Sequence, residues 1–340
     1  MRPWMTGFAG SFDYTTIESE ALRNNPLGDP AERPLAVYLP PQARSESSRR
    51  FPVIYLLHAM GNELESWWNR SAFRPAVPEM VDGLFAGGVP PAVVVFIDAW
   101  TSLGGSQFLN STAIGRYLDY VCDDVVPFVD ARYPTVARPA ARGLAGHSSG
   151  GYGAMVVPML RPGIFGAIAS HSGDALFEYS YMSDIAAAVR TLRDKYGGSY
   201  DEFWTDFRSR PAYTHSADGP LQNVYAMAAA YSAEPDGTVT LPFDIPSGLP
   251  RPDVWERWRA LDPVYMVPKR IPQLKALRGI YLDAGKRDEH YLDLGTVAFA
   301  SQLAAAGVEY TLELHDGSHS RIEYRFPSAW RFLAERLSAE

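Results

Sequence analysis

Residues 143–154 read GLAGHSSGGYGA, and within them Gly146-His147-Ser148-Ser149-Gly150 has the form G-x-S-x-G. A short apolar run, 142–146, leads into it and a helical stretch, 149–161, leads out. The sequence therefore predicts a strand, a sharp turn at Ser148 and a helix. Such a turn holds Ser148 in a strained backbone conformation and leaves no room for side chains on its neighbours, which accounts for Gly146 and Gly150. It also sets the Ser148 hydroxyl at a helix N-terminus, beside the positive end of the helix dipole. A Gly-rich turn that merely starts a helix would have the same composition; the apolar strand running straight into the serine is what points to nucleophilic chemistry.

A serine hydroxyl is a weak nucleophile until a neighbouring base takes its proton, and the base needs an acid to orient it. Where the serine sits on a strand–turn–helix, the acid and then the histidine follow it along the chain. The predicted strand 279–284 is followed by Gly285-Lys286-Arg287-Asp288, so Asp288 stands just past a strand end. Asp283, inside the strand, and Glu289 and Asp293, beyond it, compete for the role. His315 and His319 follow near the end of strand 308–315; His315 belongs to the strand and His319 to the loop, so His319 is the expected base. His315, His319, Asp288 and His290 could also be read as metal ligands. They lack the helical H-E-x-x-H form and would leave the serine unexplained, so neither metal nor organic cofactor is expected. A tetrahedral intermediate further requires N–H donors for its oxygen. These are expected from Ser149 and from the loop His58-Ala59-Met60-Gly61 after strand 52–57, with Met60 as the donor and Ala59 as the alternative.

The elements that must position these groups alternate. Strand-like runs are expected at 34–39, 52–57, 92–98, 142–146, 166–171, 279–284 and 308–315, and helices at 113–132, 149–161, 290–306 and 324–338. Several runs are apolar on both faces, as in a sheet covered on both sides, so the pattern predicts a mostly parallel α/β sheet flanked by helices. The segment 11–19 suits an antiparallel edge beside 34–39. Residues 174–265 break the alternation, with 15 aromatics in 92 residues and a Pro-rich stretch, 242–252. They read as a cap-like insertion within a single domain spanning 1–340. Ligands of open α/β sheets bind at the carboxyl ends of the strands, so the insertion is expected to form one wall of the pocket there. Trp67, Trp68 and Trp100, with Trp204, Phe207 and Tyr231 of the insertion, are the candidate pocket walls.

Composition narrows the partners. Of 340 residues, 31 are Lys or Arg and 39 Asp or Glu, a net charge of −8, so a nucleic-acid partner is not expected. One cysteine, Cys122, rules out an internal disulfide and a multi-thiolate metal site. No apolar run approaches the roughly 18 residues of a membrane-spanning helix. The first 20 residues carry Asp13, Glu18 and Glu20 and lack the apolar core of a signal peptide. The expectation is a cytoplasmic protein acting on a small molecule, away from membranes.

Four stretches together carry a resemblance: FPVIYLLHAMG (51–61), NSTAIGRYLDYVCDDVVPFVDARYPT (110–135), ARGLAGHSSGGYGAM (141–155) and YLDAGKRDEHYLD (281–293), with HDGSHS (315–320) near the C-terminus. The sequence resembles the esterase family of α/β-hydrolases that includes esterase D (S-formylglutathione hydrolase), feruloyl esterases, enterochelin-esterase-like proteins and mycolyltransferases. The resemblance implies the α/β-hydrolase fold. It puts Ser148 as nucleophile, Asp288 as acid, His319 as base, and the backbone of Met60 and Ser149 in the oxyanion hole. Ala59 departs from the glycine common in that loop. The implied activity is hydrolysis of carboxylic esters through an acyl-enzyme. Acyl transfer, or thioester or peptide hydrolysis, would use the same triad, and a non-catalytic binding protein on this fold is the alternative of another class. The family does not name the substrate.

Overall fold

The structure is a computed structural model that describes residues 7–211 and 215–337. Residues 1–6 of the N-terminal stretch, 212–214 of the insertion and residue 338 of the last expected helix lie outside the described residues. Eight strands form one sheet: β1 (Ser11–Glu18), β2 (Glu32–Leu39), β3 (Val53–Leu57), β4 (Val93–Ile97), β5 (Arg142–His147), β6 (Ala167–His171), β7 (Gly279–Gly285) and β8 (Thr311–His315). Their order is β1-β2-β4-β3-β5-β6-β7-β8. β1 and β4 pair antiparallel with β2, and every other pairing is parallel.

β3 (VIYLL) and β4 (VVVFI) are buried along their whole length because both faces of the sheet are covered. Val53, Tyr55 and Leu57 point into one apolar layer, and Ile54 and Leu56 into the other, following the two-residue period of a strand. On the first side pack the helix over 117–132, the helix that follows Ser148 (Ser149–Leu160) and Leu292–Ala305. On the second side pack Val77–Ala86 and Phe326–Arg336. In the parallel register His147, His171 and Asp283 stand side by side at the carboxyl ends of β5, β6 and β7.

The differences from expectation are local. The helix expected over 113–132 begins at Tyr117, because Asn110–Ser111 and Gly115–Arg116 pair as a short ribbon. Its middle, Tyr120–Val125, is wound as a π-helix between α-helical ends. β8 starts at Thr311 rather than 308.

The insertion builds helices Met182–Tyr196, Tyr200–Ser209, Asp218–Tyr231 and Pro252–Arg259. Their apolar faces join the core layer on the first side of the sheet. Its aromatics pack largely on one another: Phe203, Trp204 and Phe207 meet in tilted and edge-on contacts with centroids 5.0–5.5 Å apart, and Tyr200 and Tyr225 close over them.

Trp330 anchors the second layer and is 1% exposed. Trp330→Ala should cost about 3–5 kcal/mol, as for a buried Trp truncated in a close-packed core. Urea unfolding should show a lower midpoint at unchanged slope.

Candidate active site

Ser148 has φ 57° and ψ −123°, a conformation L-residues adopt only under constraint. The constraint is close packing at the crossing of strand and helix. A Cβ at Gly146 would collide with the Gly150 backbone, and one at Gly150 with the Leu57 carbonyl of β3. Two backbone bonds complete the turn: Ser148 N–H donates to the His171 carbonyl (2.9 Å), and Tyr152 N–H to the Ser148 carbonyl (2.8 Å).

The loops after β7 and β8 bring the remaining groups to this turn. His319 Nε2 lies 3.1 Å from Ser148 Oγ, and its Nδ1 lies 2.8 Å from Asp288 Oδ2. Asp288 Oδ1 accepts the His290 N–H (2.9 Å), and Glu289 accepts the His319 N–H (2.9 Å), so both sides of the imidazole's attachment are held. Burial opposes ionisation of Asp288, but its bond to His319, the charge of that ring and the His290 N–H outweigh it and hold the carboxyl below its ordinary value. For His319 burial pulls downward, and the Asp288 bond and charge more than offset it, so its pKa is raised. With Nδ1–H donated to the carboxylate, Nε2 is the free lone pair of the neutral ring, and it faces the serine hydroxyl.

The competing acids do other work. Asp283 is fully buried, 2.7 Å from His171 Nδ1 and 3.3 Å from Arg325 Nε. Asp293 lies in the first turn of the helix Leu292–Ala305. His315 accepts the Gly317 N–H instead of reaching the serine. Among the described residues no three His, Cys, Asp or Glu side chains are grouped to hold a metal ion.

The orientation of the Ala59–Met60 peptide follows from His58. His58 Nε2 must accept, because the Ala99 N–H points at it (2.9 Å), so its Nδ1–H donates to the Ala59 carbonyl (2.9 Å). In a trans peptide the carbonyl and the following N–H point in opposite directions. With Ala59 C=O turned to His58, Met60 N–H is turned away from it, and both residues line the cleft that contains Ser148. Ser149 opens its helix, where an N–H has no intrahelical acceptor.

That cleft measures about 640 Å³, and its lining is more polar than expected. Trp67 alone of the six candidate aromatics reaches it. Trp68 packs outside, against Phe12, Tyr14 and Phe96. Trp100 is not on the wall; its carbonyl accepts the Tyr117 hydroxyl (3.2 Å). Trp204 and Phe207 are consumed in packing the insertion helices, and Tyr231 lies behind the wall, stacked on Phe177 (5.1 Å). The insertion instead presents Asp174, Ser180, Tyr181, Asp184, Gln222 and Asn223 to the cleft. His147 was not singled out by the sequence. Its ring packs on His319 (centroids 4.7 Å) and its Nε2–H donates to the His319 carbonyl (3.1 Å). Burial, then the charges of His319 and His171, push its pKa down to about 3.

A family model described as "Putative esterase" matches residues 30–327. Esterase Rv1288 of Mycobacterium tuberculosis is 29% identical over 202 residues, covering 55% of this chain and 39% of that protein. S-formylglutathione hydrolase of Mus musculus is 26% identical over 144 residues, covering 40% of this chain and 49% of that protein. The chain thus spans less than half the length of these curated relatives. A solved ferulic acid esterase superposes with a TM-score of 0.60 at 18% identity, covering 98% of this chain and 100% of that one, a likeness of fold. No helix among the described residues is long and apolar enough to cross a membrane.

NMR titration of the histidine rings checks the electrostatics. His319 should titrate above its ordinary value of about 6.5, and Asp288→Asn should lower that midpoint by removing the charge that raises it. His147 should stay neutral until the pH nears 3.

Proposed function

The chain belongs to the esterase family of α/β-hydrolases, and from that premise we propose that it is a serine carboxylesterase acting on small-molecule esters. The observation that carries this reading is the unbroken hydrogen-bonded line Asp288–His319–Ser148 ending on a serine with left-handed backbone. Ser148 Oγ attacks the ester carbonyl while His319 Nε2 takes its proton, and Asp288 stabilises the imidazolium that forms. The carbonyl electrons move to oxygen, which sits against the N–H groups of Met60 and Ser149. The tetrahedral species collapses; the alcohol leaves with the proton from His319 Nε2, and the acyl group stays on Ser148. Water then gives its proton to His319 and adds to the acyl carbonyl. The bond to Ser148 breaks, the serine regains its proton, and the acid departs. A cytoplasmic setting is part of the proposal, supported by a lone, buried Cys122.

Ser148→Ala should lower kcat for an activated ester such as 4-nitrophenyl butyrate by at least about 10⁴-fold, with an unchanged circular dichroism spectrum. A fluorophosphonate should label the native protein at Ser148 and leave the variant unlabelled. Because only neutral His319 can take the proton, kcat/KM should fall as pH drops through its raised pKa, with the midpoint of the acid limb above about 6.5. Wild-type turnover by Ser148→Ala would overturn the reading.

A further inference from the structure

Asp174 is a buried carboxyl with no ion pair among the described residues; the nearest titratable rings, His319 and His290, act on it only at longer range. It is 7% exposed and sits on the cleft wall beside Ser148 and His319. Of the other buried aspartates of this region, Asp288 holds His319 and two are spent on structure. Asp283 is paired with His171 and Arg325, and Asp262 accepts the N–H groups of Leu176, Phe177 and Val264. Asp174 has no ion-pair partner among the described residues. The groups that hold it are neutral: Gln107 Nε2 and the Tyr181 hydroxyl both donate to its Oδ2, each at 2.9 Å. Oδ1 accepts no hydrogen bond among the described residues and is not fully enclosed, and the small exposed part of Asp174 lies on the cleft it lines.

The support behind Asp174 is itself strained. Gln107 and Phe108 are consecutive non-glycine residues with φ 51° and 52°. Two such residues in a row persist only where the surroundings fix them, and they cluster at functional sites. Here they hold the Gln107 amide, 1% exposed, so that its Nε2 meets Asp174 and the Tyr231 hydroxyl (2.9 Å). A carboxyl so placed is costly in the free protein, and burial, only partly offset by the Gln107 and Tyr181 bonds and by the charges of His319 and His290, raises its pKa.

We propose that Asp174 is a specificity-determining residue that binds esters bearing a hydrogen-bond-donating group, hydroxyl or ammonium, near the scissile carbonyl, through its open Oδ1. A donor on the substrate satisfies an oxygen that an apolar substrate would cover and leave unpaired, so the site selects for the donor and against its absence. Ser180 and Asn223 on the same wall suit such a polar substrate. The proposal rests on the reading of Ser148 as nucleophile.

The test compares kcat/KM for matched pairs: 4-nitrophenyl butyrate with 4-nitrophenyl 3-hydroxybutyrate and 4-nitrophenyl 3-aminobutyrate, and ethyl butyrate with 2-hydroxyethyl butyrate. The native protein should prefer a donor-bearing member by at least about tenfold. The first set detects a donor on the acyl side and separates hydroxyl from ammonium; the second detects a donor on the alcohol side. Asp174→Asn should reduce the preference at least about tenfold, and Asp174→Ser provides a second replacement should the first fail to fold. A residue with a merely structural role would move both members of a pair together and leave their ratio unchanged. No preference in the native protein, or a preference that survives substitution, overturns the assignment of Asp174 while the serine reading stands. Failure to hydrolyse any of these esters, with no fluorophosphonate labelling, overturns the serine reading and this proposal with it.

Discussion

The structure depends on one contact without slack, the crossing of the helix that starts at Ser149 over β3 and β5. Gly150 meets the Leu57 carbonyl and Gly146 meets the Gly150 backbone so closely that neither tolerates a Cβ. That closeness forces the left-handed turn at Ser148, at a cost of about 1–3 kcal/mol. The apolar layers on both faces of the sheet supply the stability that sustains it. Because Ser148 N–H is bonded to the His171 carbonyl, the serine is also tied to the next strand. Its position is thus fixed by three neighbouring strands rather than by the loop that carries it.

The same register lines up two Asp–His pairs with different fates. Asp283 and His171 lie at strand ends, fully enclosed, with Arg325 on the same carboxylate and Phe326 against the imidazole (4.7 Å). Asp288 and His319 sit one loop further out, where the histidine keeps a ring nitrogen directed at Ser148. The inner pair props the floor and the outer pair faces the cleft. His147 lies between the layers, its ring on His319, and burial keeps it from adding a competing positive charge.

Much of this was legible in the residues. The strand–turn–helix around Ser148 is local, and β-branched runs such as VVVFI announce buried strands by composition, so sheet and turn could be read without tertiary knowledge. Asp288 and His319 follow from their places just past strand ends, and the structure brings them within hydrogen-bond reach of one another and of Ser148. The cleft wall was not legible. Whether Trp204 or Phe207 faces solvent, substrate or another helix is decided by how the insertion's helices pack together, and sequence spacing does not encode that packing. Asp174 was missed because its distinction is to be buried on the cleft wall with neutral hydrogen-bond donors and no ion pair among the described residues, a fact of three-dimensional surroundings. The π-helical winding of Tyr120–Val125 leaves no mark in apolar periodicity strong enough to read.

His58 links the sheet to the chemistry in a further way. Its ring bridges the Ala99 N–H just past β4 and the Ala59 carbonyl just past β3, so a rotation of the Ala59–Met60 peptide would have to break a bond inside the core. Burial lowers the pKa of this imidazole, which keeps it a neutral bridge with one donor and one acceptor. The proposed oxyanion donor at Met60 is therefore an extension of the rigid interior, aimed before any ligand arrives. Little reorientation free energy is left to spend when charge develops on the substrate oxygen. A hole built this way should behave as a thermometer of the core: its alignment should persist to temperatures at which surface loops are already mobile, and should vanish only when β3 and β4 part.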